Sequence, residues 1–528
     1  MRRRLASVLA AVGICCAALA AAAQVQAPPD ARCWEPRLPP AGVAALPAVA
    51  AGPPQLQVAM VADADLAPKK RKWEESVGGR EAAKLRIQAR LAGWPSELHI
   101  ERGTLPAGDL ELLWRAARDT WRGLAALTDR ENGLPVDHVR FLGGAEPTHA
   151  EIGDYTTASS IGLHIAATVA AQELGLIEHE EAVARLRREL ATLDRLETWR
   201  GFHFNFYDTT SLERTSHFVS FVDSAWLAAG LMVLRQGIPE LAPIATRLIE
   251  ERDYGVFWDP QQQQMSHGFF VDERGRSPYH YSTLYTEARV GSLIAIGKGD
   301  VPESHWFRML RTFPPDCDWQ SQPPKQRNQK TVRGYITTGG WYEWKDLRYV
   351  PSWGGSMFEA LMPTLFVNER RFAPKSLGKN AEVHVEVQRR WANEVLGWPV
   401  WGLSPAVAPG PDGYREYGVP VLGSSKSYHD AAVTPHAVAL ALDIAPNAAT
   451  QALRQLVTRY DVYGQFGFYD SVDPKTGEVA TAYLSLDQGM LFLALANHLQ
   501  DGVVQRLFAA DPIAQRALPI LADEDFFD

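Results

Sequence analysis

The sequence predicts an all-α fold, an (α/α)6 toroid with few short strands. Three observations predict it. Apolar residues recur at helical spacing in about eleven segments between residues 109 and 499. Alternating strand patterns are scarce, and no βαβ alternation appears. The segments follow one another in a single run, separated by Gly-, Pro- and Asp-rich loops and by no second linker. A length of 528 residues would otherwise suggest three or four domains. The composition, 46% hydrophobic and 22% charged, is that of a globular chain. The net charge of −9 excludes a nucleic-acid partner, which would need a basic field.

The first element is an export signal over residues 1–23. Arg2, Arg3 and Arg4 precede an apolar stretch, and Ala21, Ala22 and Ala23 offer small residues for cleavage. The stretch is too short and alanine-rich for a membrane span. An exported protein, periplasmic or secreted and without stable membrane insertion, is expected. Lipid anchoring through Cys15 or Cys16 is the alternative, and Val12, Gly13 and Ile14 fit it poorly. Losing three arginines takes the net charge from −9 to −12. Residues 24–75, rich in Ala and Pro, are expected to be a disordered linker. A single domain then spans 76–515, and an acidic tail spans 516–528. Cys33 and Cys317 remain after the signal, and whether they pair is left open. No Cys/His cluster has metal-ligand spacing, so neither a metal nor a cofactor is expected.

Within the domain, residues 109–128 place Leu110, Leu113, Trp114, Ala117, Trp121 and Leu124 at helical spacing. The same reading holds for 160–176, 180–196, 223–236, 238–251, 285–296, 356–366, 381–396, 434–442, 450–460 and 486–499. Several loops leading into these helices are polar and aromatic where a plain connection needs neither. Among them are 201–208, 279–289, 341–359, 398–404, 427–430 and 465–470. Helix starts carry free backbone N–H groups that receive polar ligands. Aromatic faces beside carboxylates are what sugars require, with flat platforms for C–H faces and acceptors for hydroxyls. Of 16 Trp, eight fall between Trp306 and Trp401, so a sugar-stacking groove competes with a Trp-rich core.

Glycoside cleavage needs two carboxyl groups flanking one bond. Glu287 and Glu359 are the best-placed pair, each in the first turn of an apolar helix. A first-turn Glu is also a common cap. Asp208 could equally form an Asx turn, and Asp223 or Asp487 an N-cap. Trp353 and Trp401 could be core, and His429 and His436 could be hydrogen-bonded structural residues. No Ser-His-Asp arrangement is legible.

The stretch 281–302, with Tyr281, Glu287 and Arg289, together with His305, Trp306, Phe307 and Arg308, closely resembles the glucoamylase-like domain of cyclic β-1,2-glucan synthases. Ser352 to Pro363, with Trp353, Gly354, Gly355 and Glu359, resembles the next block. Residues 157–162, 201–208 and 218–227 resemble earlier ones. Trp401 to Ser404, Thr434 and Pro435, Phe466 to Asp470, and Leu486 to Gly489 are similar both to that domain and to endo-β-1,2-glucanases. The resemblance implies an (α/α)6 toroid acting on β-1,2-glucan, with Glu287 and Glu359 as catalytic carboxyls. It also implies that Asp208, Asp223 and Asp487 line sugar subsites. Tyr281, Arg289, Trp344, Trp353, Trp401, Asp430 and Gln488, in or beside the same blocks, join them as candidate sugar contacts. One departure stands out, because Phe218 and Val219 occupy a place where the glucanases tend to carry an acid. The expected function is an exported glycoside hydrolase or transglycosidase on β-glucan, with an oligo- or polysaccharide as its partner. The alternatives are a non-catalytic glycan-binding protein on the same scaffold and an enzyme on α-linked glucan.

Overall fold

The computed structural model describes residues 102–141, 150–410 and 413–528. The expected signal and linker, with Cys15, Cys16 and Cys33, lie outside the described residues. Cys317 is disulfide-bonded to a partner that also lies outside them.

Fifteen α-helices organise the described residues. They are α1 (Asp109–Ala126), α2 (Ala158–Glu173), α3 (His179–Leu193), α4 (Phe221–Gly237), α5 (Ala242–Glu250), α6 (Arg289–Lys298), α7 (Ser304–Arg308), α8 (Met357–Leu361), α9 (Glu369–Phe372), α10 (Leu377–Arg390), α11 (Pro435–Leu440), α12 (Pro446–Arg459), α13 (Ser485–Leu499), α14 (Val503–Ala510) and α15 (Pro512–Ala517). The helices alternate in character along the chain. In α2, α4, α6, α11 and α13 nearly every residue is buried, and in the short α8 all but Phe358. Their sequences explain this, since runs such as Ala158–Glu173 carry no full charge before the last residue. Between them, α1, α3, α5, α10 and α12 bury one stripe and leave charged residues outside, as in α3 with Leu186, Leu190 and Leu193 buried. The buried helices neighbour one another in order. Helix α2 packs on α4, α4 on α6, α8 on α11, α11 on α13, and α13 returns to α2. Arg289 supplies the link from α6 to α8, donating from Nη1 to the Glu359 carbonyl at 3.0 Å and from Nη2 to that of Ala360 at 2.6 Å.

Helix α2 meets α4 backbone to backbone. A Cβ on Gly230 would stand 2.1 Å from the Gly162 carbonyl oxygen, and one on Gly162 2.3 Å from that of Trp226. Thr157 caps α2 by accepting from Ser160 N at 3.0 Å, and Ser220 caps α4 by accepting from Asp223 N at 3.3 Å.

Several elements depart from the sequence expectation. Helix α6 begins at Arg289, so Glu287 sits in the loop before it and not in its first turn. Tight local bonds, Thr286 N to Leu284 O at 3.0 Å and Arg289 N to Thr286 O at 3.2 Å, occupy that stretch. Helix α8 stops at Leu361 and continues as a 3-10 turn, because Pro363 cannot donate to a further α-helical turn. Strands are more numerous than expected, though most span two or three residues. The exception is a hairpin pairing Gln326–Val332 with Tyr335–Trp344, continued by Leu347–Tyr349. Its first strand alternates exposed with half-buried polar residues, so it carries no apolar period to read. The acidic tail is part of the packed body. Glu524 forms a buried bidentate ion pair with Arg311, at 2.8 and 2.6 Å, and Phe526 is buried. Among the described residues, no helix is long and apolar enough to cross a membrane.

Gly230→Ala inserts a methyl where the facing backbone cannot give way. We expect a loss of about 1–3 kcal/mol in chemical denaturation. Gly413→Ala, where nothing lies within 4 Å of the added carbon, should change stability far less.

Candidate active site

The six buried helices aim their N-terminal ends at polar side chains. Ser159 lies in the first turn of α2, Asp223 in that of α4, Glu359 in that of α8 and Asp487 in that of α13, while Glu287 immediately precedes α6 and His436 opens α11. Helix N-termini carry partial positive charge and favour carboxylates.

The two expected catalytic carboxyls differ sharply in setting. Glu359 is buried and embedded in donors. Its Oε2 accepts from Ser352 Oγ at 3.0 Å, Ser356 Oγ at 2.9 Å, Ser356 N at 3.1 Å and Gly354 N at 3.1 Å. Its Oε1 accepts from Gly354 N alone, at 2.9 Å, and keeps acceptor capacity. The bond to Ser356 N closes a capping box with Ser356, so the capping reading holds and coexists with an Oε1 that carries a single bond. Burial raises the Glu359 carboxyl above the usual range, against the pull of these donors. Glu287 is half-buried. Burial, with the charge of Glu359 next and that of Asp223 adding, pushes it up to about 8. Asp223 is also raised by burial and accepts from Ser159 Oγ at 2.8 Å. Tyr281, whose hydroxyl feels both Glu287 and Asp223, lies 4.3 Å from the His267 ring between centroids.

Sequence reasoning missed two members of this group. Glu416, half-buried, is pushed up to about 7 by burial and by Glu359. The hydroxyl of Tyr428 lies in the field of Glu359, Glu416 and Glu287, and its ring covers Gly354, where an added Cβ would meet it at 2.3 Å. Tyr428 stood in a quoted loop block, whereas Glu416 lies in a loop with no helical or capping signal.

Most other expected sugar contacts fall elsewhere, and Trp353 neighbours the Gly354 that binds Glu359. Arg289 is 1% exposed and fully engaged, paired with Glu369 at 2.7 Å and donating to the Thr286, Glu359 and Ala360 carbonyls. It positions backbone and has no surface left for a ligand. Trp401 is buried core. Asp208 forms an Asx turn, accepting from Thr210 N at 2.9 Å and Ser211 N at 2.7 Å. Asp487 and Gln488 are buried, and Gln488 donates to Phe468 O at 3.1 Å. Trp344 packs against Trp391 at 5.7 Å, and Trp391 Nε1 donates to Asp430 at 2.9 Å, which gives Trp391 a role the sequence did not assign. Trp353 is half-buried and stacks on Trp319 at 5.3 Å with 29° between planes. Trp306 is core.

Residues 323–512 match the family model described as "Putative glucoamylase", and residues 115–293 match one described only as a protein of unknown function. A cyclic β-(1,2)-glucan synthase, NdvB of Rhizobium meliloti, is 24% identical over 563 residues, covering 79% of this chain. The match spans 18% of the synthase. Among solved structures, an endo-β-1,2-glucanase from Chitinophaga pinensis, in complex with sophorotriose and glucose, superimposes with a TM-score of 0.61 at 15% identity, over 80% of this chain and 99% of that one. An endo-β-1,2-glucanase from Talaromyces funiculosus, in complex with β-1,2-glucan, gives 0.55 at 13% identity, over 80% and 96%. A Bacteroides caccae protein described as a "putative glucoamylase" gives 0.61 at 18% identity, over 79% and 100%. The chain shares their helix-rich fold.

The raised Glu287 carboxyl carries a signature in stability. Its ordinary value is 4.5 and its folded value about 8. Between these, the unfolded chain releases the proton and the folded chain retains it, so stability falls as pH rises through that window. Glu287→Gln removes the loss. Urea denaturation should show little difference from the parent near pH 4 and a gain for the variant, on the order of 1–2 kcal/mol after solvent screening, by about pH 8.5. A difference independent of pH would contradict the assignment.

Proposed function

We propose that this chain is an exported glycoside hydrolase or transglycosidase acting on β-1,2-linked glucan, built as an (α/α)6 toroid. The neighbour order of the buried helices, closed from α13 back to α2, supports the toroid. The export expectation rests on residues 1–23.

One observation carries the catalytic reading, the contrast between Glu287 and Glu359 within one electrostatic field. Glu287, pushed up to about 8, keeps its proton at neutral pH and serves as the acid toward the glycosidic oxygen. Glu359 has four donors on Oε2 and one on Oε1, so its charge is stabilised while Oε1 remains free to attack the anomeric carbon or to activate water. Departure of the proton from Glu287 leaves a carboxylate that can then accept a proton from an incoming water or sugar hydroxyl. The second acceptor decides between hydrolysis and transglycosylation. Asp223 and Tyr281 beside Glu287, and Glu416 and Tyr428 beside Glu359, supply polar contacts for sugar hydroxyls. Trp353, half-buried next to Gly354, offers a ring face for stacking. The β-1,2 linkage follows the synthase and the glucanases, whose printed substrates share it.

Incubating the mature protein with linear β-1,2-glucan should change product size, and hydrolysis should also raise reducing ends. Glu287→Gln and Glu359→Gln should each lower turnover by at least about 10²-fold while the far-UV spectrum stays that of the parent. Lack of any product from β-1,2-, other β- and α-glucans would reject the proposal, and near-parental rates in both variants would reject the residue assignment.

A further inference from the structure

His436, Asp470 and Asp487 come from three separate segments, α11, the loop before the short strand Ser471–Val472, and α13. One ligand-capable atom from each lies within 4.8 Å of the others, and His436 Nδ1 stands 3.5 Å from Asp487 Oδ2. All three side chains are 2% exposed or less. Their polar atoms are nonetheless unsatisfied. Both Asp487 oxygens, Asp470 Oδ1 and His436 Nε2 have no hydrogen-bond partner, whereas Asp470 Oδ2 accepts from Val407 N at 2.6 Å. Two further orphaned oxygens, Gln488 Oε1 and Thr434 Oγ1, belong to residues adjacent to Asp487 and just before His436.

No N–H or hydroxyl donor is seated between the two buried carboxylates, so only a proton shared between them or a bound cation offsets their charge. Asp137 is a third buried carboxylate in their field, already occupied by His138 Nδ1 at 2.8 Å. Ligand distances of about 2.0–2.6 Å allow a divalent ion to bridge donor atoms up to about 5 Å apart. A mixed set of two carboxylates and one imidazole suits manganese or zinc better than calcium, which prefers oxygen alone. We propose that His436, Asp470 and Asp487 form a divalent-cation site of the manganese or zinc class, which ties α11 and α13 to the loop at Asp470. The sequence expectation of no metal rested on ligand spacing, and these ligands are far apart in the chain.

The test uses the full mature chain, stripped with EDTA, dialysed, and reloaded separately with MnCl2, ZnCl2 or CaCl2. Elemental analysis should find about one manganese or zinc ion per chain, and the melting temperature should rise by several degrees on reloading. His436→Gln and Asp487→Asn should lose both the ion and the shift. Stripped Asp487→Asn, relieved of one buried charge, should melt no lower than the stripped parent, which separates ligand loss from misfolding. The proposal fails if the parent retains less than about 0.1 ion per chain with manganese and zinc. It also fails if His436→Gln takes up as much as the parent, or if the melting temperature responds to pH alone and to no cation. Each of these readouts is independent of glycosidase activity.

Discussion

The buried Arg289 guanidinium is the joint on which the two central carboxyls depend. It forms two hydrogen bonds with Glu369, at 2.7 and 3.1 Å, and its remaining donors go to the carbonyls of Thr286, Glu359 and Ala360. Thr286 directly precedes Glu287. One rigid, always-charged fork therefore holds the backbone beside both Glu287 and Glu359. The pairing with Glu369 keeps the buried cation neutralised, and the three carbonyls absorb donors that would otherwise be stranded. A lysine could not reach three carbonyls and a bidentate carboxylate from one position.

Around that joint the fold concentrates negative charge where backbone dipoles tolerate it. Asp223, Glu359 and Asp487 sit in the first turns of α4, α8 and α13, and Glu287 just before α6, at the helix ends whose dipole favours negative charge. Burial raises each of them, and the donors around Asp223 and Glu359 pull the other way. Glu359 is surrounded by serine hydroxyls and amide hydrogens. Glu287 has no such set, and burial with the charge of Glu359 pushes it up to about 8. The two glutamates are thus distinguished by their hydrogen bonding, although both are the same residue type.

How much of this was legible in the sequence follows from range. The buried helices were legible because an alanine- and leucine-rich run such as Ala158–Glu173 encodes its burial locally. Glu287 and Glu359 were legible from their polar, aromatic and glycine-rich surroundings and from the family blocks. The structural role of Arg289 was not, because its partner Glu369 lies on α9, and a buried arginine looks like an exposed one in sequence. Asp487 read as a sugar contact because it opens a helix in a matching block, yet its neighbours Asp470 and His436 seal it from solvent. The hairpin at Gln326–Val332 and Tyr335–Trp344 escaped because its outer strand is polar on both faces. Trp319 acquired a meaning only when Trp353 was found beside it.

The crossing of α2 and α4 at Gly162 and Gly230 has a consequence for the polar groups at their N-terminal ends. With no side chain between them, the spacing of these helices is fixed by main-chain atoms, the least compressible spacer a protein has. Ser159 and Asp223 sit at the N-terminal ends of these same helices, so their bond at 2.8 Å inherits that spacing. The spacing of Ser159 and Asp223 is therefore set remotely, within the helix bodies. Any change in how far apart Ser159 and Asp223 stand would begin at those two small residues, before it touched either polar group.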